Sequence, residues 1–335
     1  MTGTLASHAS HASRACIATT VRRPGPPLFS FLRYHLAIGF AEIYVFFDDA
    51  DDPDIERAGA MPGVTAFPCD DALRARQRAS APAFERMQGF LTREVMARQV
   101  LNAELALHHA AERGMEWLLH IDIDELFHSE EPVAHHFASV PASVGQVVYL
   151  NSEAFPEAAD MDDYFRDVTL FKKNPVLCRR GAVAAWLQAT GRPWYFLAYD
   201  NGKAAVRVAP GVSAESVHAF DVAATGRQTI TTVEPAILHY VNCGFEHYVR
   251  KYEQRGAFSD RYFDSAPRLP FHLRSRDVVR GGDRRAIRDF YAHHVLCGGP
   301  AEADAMIAAG VGLRVTGPRD LLTGAAPARA AGGSR

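Results

Sequence analysis

The sequence lacks any run of about twenty apolar residues, the length a bilayer-spanning helix needs, so no integral membrane segment is expected. It lacks a basic excess as well. With 36 Lys and Arg against 39 Asp and Glu, the net charge is −3, which leaves no electrostatic footprint for nucleic acid. Cysteine is scarce: Cys16, Cys69, Cys178, Cys243 and Cys297 are far apart, odd in number and form no CxxC pair. A zinc knot and a disulfide framework are thereby excluded, and reduced thiols in a cytoplasm are expected. The opening MTGTLASHASHASRAC has no apolar signal-peptide core, and residues 1–14 read as a flexible, solvated tail. No repeat recurs at a solenoid period. What remains is an ordinary globular chain of 335 residues, 48% hydrophobic and 22% charged, long enough for one large α/β domain. The expected location is the cytoplasm, free or peripheral at a membrane.

Residues 15–21, ACIATTV, read as a buried strand, and RRPGPP then breaks the backbone. Leu28, Phe31, Leu32, His35 and Leu36 fall at helical spacing over 28–38, with Gly39 as the stop. AEIYVFF follows as a second apolar strand. A long helix is expected over 84–113, with an apolar stripe through Leu91, Val95, Val100, Ala103, Leu107 and Ala110 and a stop at Gly114. The strand EWLLHIDID comes next. Two successive strand–helix–strand units imply a mostly parallel central sheet flanked by helices, a Rossmann-type α/β fold. After residue 144 the pattern turns mixed. Short strands are expected in GQVVYLN, DVTLFKK, KAAVRVA, SVHAFDV and PAILHYV, and helices over 244–255 and 283–297.

Both early strands end in acids, where open α/β sheets collect ligands. In an extended strand Asp122 and Asp124 would project to one side, about 6.6 Å apart, while Glu125 would point to the other. Two such close carboxylates repel, and a hard divalent cation, Mn²⁺ or Mg²⁺, would relieve the repulsion and accept a diphosphate. Asp48 ends the second strand, where an acid can accept hydrogen bonds from a base or ribose.

Four segments together resemble glycosyltransferases of the GT-A fold, particularly family 92 and related bacterial family 2-type enzymes. They are FLRYHLAIGFAEIYVFFDD, ARQVLNAELALHHAAERGMEWLLHIDIDELF, GKAAVRVAPGVSAESVHAF and ILHYVNCGFEHYVRKYEQRGAFSD. The resemblance implies a GT-A-like domain over 15–300, with a nucleotide-sugar half at 15–143 and an acceptor half at 144–300. Residues 301–335 would be a C-terminal extension whose end, GAAPARAAGGSR, is disordered. It further implies metal-dependent transfer, with inversion, from a nucleotide-sugar, a UDP-sugar in the first instance, to a hydroxyl on a glycan or other acceptor. Asp122 and Asp124 match the DxD metal motif, with Asp124 the first choice as direct ligand, and Asp48 matches the acid near the uridine. Where relatives carry a Lys-Asn-Glu run after the first strand, this chain has TTVRRPGPP, so Thr20 and Arg22 are the candidates for that donor contact.

Arg98, Gln99 and Asn102 lie on the long helix, Arg98 and Asn102 sharing a face at i, i+4, and the resemblance implies that this helix lies beside the donor sugar. Lys203 is a candidate for the phosphates, as is Lys251. His218 or His239 could add a neutral imidazole to the metal. Inverting transfer needs a base, for which Glu153 and then Glu246 are the candidates. Trp186, Trp194, Tyr195 and Phe196 are candidates for a sugar-stacking wall. Two other readings stand beside this one. One is a Mg²⁺-dependent phosphohydrolase with Asp122 as nucleophile and Asp283 or Asp289 in support. The other is a non-catalytic glycosyltransferase-like binding domain.

Overall fold

The computed structural model describes residues 13–324; nearly all of the expected N-terminal tail and the end of the C-terminal extension lie outside the described residues. The strands are β1 (Ala15–Val21), β2 (Glu42–Phe47), β3 (Val64–Pro68), β4 (Trp117–His120), β5 (Glu125–His128), β6 (Val144–Ala154) and β7 (Leu170–Lys172). They continue with β8 (Lys203–Arg207), β9 (Ser213–Ala214), β10 (Phe220–Asp221), β11 (Gln228–His239), β12 (Arg261–Tyr262), β13 (Ala266–Pro267) and β14 (Gly312–Arg314). Ten of these form one sheet in the order β14-β7-β6-β8-β4-β1-β2-β3, with β11 on β6 and β5 on β11. Its pairings set β1, β2, β3, β4, β6, β11 and β14 in one direction and β5, β7 and β8 in the other. The expected α/β architecture with a mostly parallel sheet is therefore present, and its mixed part is the C-terminal half.

Side-chain alternation explains why this sheet is buried on both faces. Ile17, Ile43, Val45, Phe47, Trp117 and Leu119 point to one layer, against Leu28, Phe31 and Leu32 of the helix Pro27–Ala37. Cys16, Ala18, Tyr44, Phe46 and Leu118 point to the other, against Val100, Leu101 and Leu107 of the helix Val95–Glu112. Each large aliphatic side chain so covered contributes roughly 2 kcal/mol. Gly39 ends the first helix as the sequence predicts. With φ at +108° it lets its own N–H reach the Leu36 carbonyl and that of Phe40 reach His35, closing the helix end.

Three expectations change. The helix over 84–113 is interrupted: Phe84–Met87 and a tight turn Gln88–Phe90 precede Val95–Glu112. Buried Glu94, extended at the helix entry, is held by Arg268 at 2.6 and 2.8 Å and draws the chain out of helical geometry. The strand expected through Asp124 stops at His120; a turn follows, and β5 starts a separate pairing with β11. The extension expected from residue 301 is in part integral to the fold. Its helix Pro300–Ala308 leads into β14, which pairs with β7 inside the main sheet. Among the described residues no helix is long and apolar enough to cross a membrane.

Candidate functional site at the strand ends

The order β3-β2-β1-β4 places a topological switch between β1 and β4, since the chain steps outward through β2 and β3 and returns on the other side of β1. A crevice at the carboxyl ends of these strands is the natural ligand site. Thr20, Asp48 and Asp122 all lie there. Antiparallel pairing of Leu119 with Ala205 then brings the start of β8, Lys203, to the same end. Pairing of His239 with both Glu125 and Glu153 brings in β11.

The side chains closest to the expected nucleotide end are already tied together. Arg98 donates from Nε and Nη2 to the two carboxylate oxygens of Asp48, at 2.6 and 2.8 Å, and Arg74 stands 3.7 Å away. Asn102 donates to Thr20 Oγ1 at 2.9 Å and accepts from Gln77 at 2.7 Å. Thr20, Asp48, Arg98 and Asn102 are thus neighbours, as the sequence suggested. Arg22 is exposed just beyond them.

At the centre two ion pairs close over the acids. The Lys203 ammonium donates to Asp122 Oδ2 at 2.8 Å, and that of Lys251 to Asp124 Oδ2 at 2.9 Å. Gln99 donates to the other oxygen of Asp122. Lys203 is wholly buried, lies 3.7 Å from Glu125, donates to the Val217 carbonyl at 3.3 Å and sits 5.2 Å from the Tyr199 ring. Burial would discharge this lysine, but Asp122 and Glu125 reverse that and hold its pKa above the usual value. Burial pushes the Asp122 carboxyl up, yet Lys203 more than offsets it and the pKa falls to about 2. Asp124 is likewise raised by burial and brought below the usual range by Lys251 and His239. Glu125 differs: burial holds its carboxyl well above the usual range, and one of its oxygens has no hydrogen-bond partner. It does not point away from the aspartates. The turn folds it back, and it accepts the Asp122 N–H at 2.7 Å.

Neutral histidines surround these charges. Burial, helped by Lys203, lowers His120 to about 3 and His218 to about 4; burial and Lys251 lower His247 to about 4. Burial also lowers His239, whose Nε2 is 3.9 Å from Asp124 Oδ1. Tyr199 lies between two of them, its ring centroid 4.4 Å from that of His218 and 4.8 Å from that of His239.

Among the described residues, no group of three or more His, Cys, Asp or Glu side chains is arranged to hold a metal ion. The donor chemistry does fit a hard cation. Asp122 and Asp124 supply oxygens, and Asp124 Oδ1 lies 3.9 Å from His239 Nε2. Lysines sit on those oxygens, however, and supply the charge compensation that the sequence reading gave to a metal. His218 is committed elsewhere, with Nδ1 2.8 Å from the Gly202 carbonyl.

Two expectations about the base and the sugar wall need correction. Glu153 is fully buried. It accepts from Lys172 at 2.8 Å and from the amides of Leu197 and Ala198 at 2.8 to 3.0 Å, so it anchors the 197–202 loop and has no open face. Glu246 is exposed and pairs with Arg284 on the surface. Trp186 and Tyr195 pack together in a core cluster, Phe196 stacks on Tyr195, and Trp194 packs on Phe271, so none of the four forms a wall at the carboxylates. The aromatic group at the site is Tyr199. It lies in a loop without periodicity, and its only sequence signal is its place four residues before Lys203. Gln99, singled out with Arg98 and Asn102, lies at the site on Asp122. His247 was missed as a site residue; it adjoins Glu246, which was singled out.

No family model matches the chain. Two Arabidopsis thaliana proteins do. "Glycosyltransferase-like At2g41451" is 31% identical over 256 residues, 72% of this chain and 57% of that protein. "Glycosyltransferase-like At3g57200" is 29% identical over 262 residues, 74% of this chain and 51% of that protein. The chain therefore spans about half the length of the curated relatives it matches. Among solved structures, S. aureus TarS aligns over 83% of this chain and 43% of its own at 10% identity and a TM-score of 0.29. A CMP:2-keto-3-deoxy-manno-octonic acid synthetase complexed with CTP aligns over 42% of this chain and 53% of its own at 13% identity and 0.24. Both scores are too low to show a shared fold. The similarity that stands is in sequence, to two proteins named glycosyltransferase-like.

Proposed function

We propose that this chain is a glycosyltransferase of the GT-A type, related to family 92, that moves a sugar from a nucleotide-sugar to an acceptor hydroxyl with inversion. The observation that carries the reading is the meeting of Asp122, Asp124, Lys203 and Lys251 beside the switch point between β1 and β4. The sequence similarity to glycosyltransferase-like proteins supports it.

In this reading Asp48, Arg98, Asn102 and Thr20 form the nucleoside end, with a UDP-sugar the first donor to test. Lys203 and Lys251 face the diphosphate. Asp122 and Asp124 would hold Mn²⁺ or Mg²⁺ through their carboxylate oxygens, and the ion when bound would supply positive charge for the leaving diphosphate. Tyr199 offers a ring face beside the sugar position. Burial and Lys251 lower His247 to about 4, so it is neutral near pH 7 but a weak base, and its part in deprotonating the acceptor is to be tested by mutation.

The test is a panel of nucleotide-sugars with Mn²⁺ or Mg²⁺, read by melting temperature and by release of free nucleotide. One donor should raise the melting temperature, and nucleotide release should follow when an acceptor is added. If no nucleotide-sugar stabilises the protein and no nucleotide appears, the reading fails. Phosphate release from simple phosphate esters would move the assignment to the phosphohydrolase.

A further inference from the structure

Residues 168–199 hold no Asp or Glu, in a chain that has 39 of them, and the next acid is Asp200. The same stretch holds Lys172, Lys173, Arg179, Arg180 and Arg192. Lys172 and Arg192 are committed to Glu153 and Glu302. Lys173, Arg179 and Arg180 have no ion pair among the described residues, and both arginines are exposed. Between these cations sit the two most exposed large hydrophobic side chains of the described residues, Val176 at 68% and Leu177 at 46%.

The two apolar side chains are held out by their backbone. They lie on the tight turn Pro175–Leu177. Buried Asn174 fixes it: its Oδ1 accepts the Val176 N–H at 3.2 Å, and its Nδ2 donates to the carbonyls of Asn151 at 3.2 Å and Asp200 at 2.8 Å. The helix Ala182–Thr190 follows, and its exposed positions, Ala184, Ala185, Gln188, Ala189 and Thr190, are all uncharged.

We infer that this turn and the basic residues beside it are a contact for an anionic lipid surface. Val176 and Leu177 enter the headgroup region, and Lys173, Arg179 and Arg180 meet the lipid phosphates. The inference does not depend on which reaction the cleft performs. A protein partner needs a core of about 800 Å² on each side, well beyond two side chains. Lipid needs no matching shape, and a small apolar anchor joined to a basic patch is the pair of signals that stable peripheral binding takes. The chain as a whole carries −3, so an anionic surface attracts it only through a local patch of this kind. Asn174 also ties the turn to the loop that carries Tyr199, so docking would hold that side of the cleft near the lipid.

The test is co-sedimentation of the full chain with vesicles of phosphatidylcholine alone or of equal parts phosphatidylcholine and phosphatidylglycerol. Binding is expected to the mixed vesicles only, and to weaken as salt rises. Arg179→Ser with Arg180→Ser should weaken it about tenfold or more, and Val176→Ser with Leu177→Ser by about tenfold. Arg285→Ser, at an exposed arginine on the helix Arg284–His294, should leave it unchanged. Val176→Trp should be quenched by lipids brominated in their acyl chains, which decides insertion if the serine variants do not fold. No binding to the mixed vesicles overturns the inference. So does binding that Arg285→Ser weakens as much as the paired arginine variant, or binding with Val176→Trp unquenched. Self-association that Val176→Ser with Leu177→Ser abolishes, without vesicle binding, overturns it in favour of a second copy on this face.

Discussion

Replacing Lys172 by Met should cost about 3–5 kcal/mol of stability, because it strands a buried carboxylate. Lys172 and Glu153 are 2% and 0% exposed and meet at 2.8 Å. Their remaining polar partners are all backbone: Lys172 also donates to the Tyr195 carbonyl at 2.6 Å, and Glu153 accepts from two amides. After Lys172→Met those amides still satisfy Glu153, but nothing balances its charge. Met fills most of the lysine stem's volume, so the loss reports charge more than packing. Adding Glu153→Gln removes the charge and keeps an amide-accepting oxygen, so the double variant should be more stable than Lys172→Met alone. Urea unfolding followed by tryptophan fluorescence, with free energies from linear extrapolation, gives the cycle. A loss below about 1 kcal/mol for Lys172→Met, or a double variant no better than that single one, would refute the structural role. A catalytic base would behave differently. Glu153→Gln would then leave stability alone and slow transfer by about 10² to 10⁴.

Gly202→Ala should be among the most damaging small substitutions. Gly202 has φ +78°, and an added Cβ would lie 2.2 Å from the Tyr149 carbonyl oxygen, so a loss of roughly 3 kcal/mol or more in urea unfolding is expected. Acid stability should report the central pair. Because Lys203 depresses Asp122 from 3.8 to about 2, this group's contribution is full above pH 4 and is lost as pH falls through 2. That is on the order of 2 kcal/mol, and Asp122→Asn should flatten the stability profile in this window. His35 should act at higher pH. Burial lowers it to about 3, so its contribution is present above pH 6.5 and drains as pH falls toward 3, and His35→Asn should reduce the slope between pH 6.5 and 4.

The parallel half of the fold was legible where its strands are buried on both faces, as β1, β2 and β4 are, and where its helices end in a recognisable stop, as at Gly39 and Gly114; β3, mostly half-buried, was read only as a connection. The grouping of Asp48, Arg98, Asn102 and Thr20 was legible for the same reason: strand ends and one helix face define it. Less could be read where the chain leaves regular structure. Asp122 and Asp124 were expected on one extended strand, and the turn after His120 depends on β5 finding β11 more than a hundred residues later. The carboxylates were expected to need a metal for charge balance. Lys203 and Lys251 also pair with them, and a lysine's partner is set by tertiary register, which a local pattern does not contain. Glu153 has the residue type of a base and the position of a core anchor. Only its burial beside Lys172 distinguishes the two.

The loop before Lys203 is held at several points. Glu153 takes the amides of Leu197 and Ala198, Asn151 takes that of Gly202 and donates to the Tyr199 carbonyl, and Asn174 donates to the Asp200 carbonyl. All these anchors are made when the polypeptide folds, before any ligand arrives. The entropy of fixing Tyr199 and Lys203 is therefore charged to folding and not to binding. On this side of the site affinity can follow from contact alone.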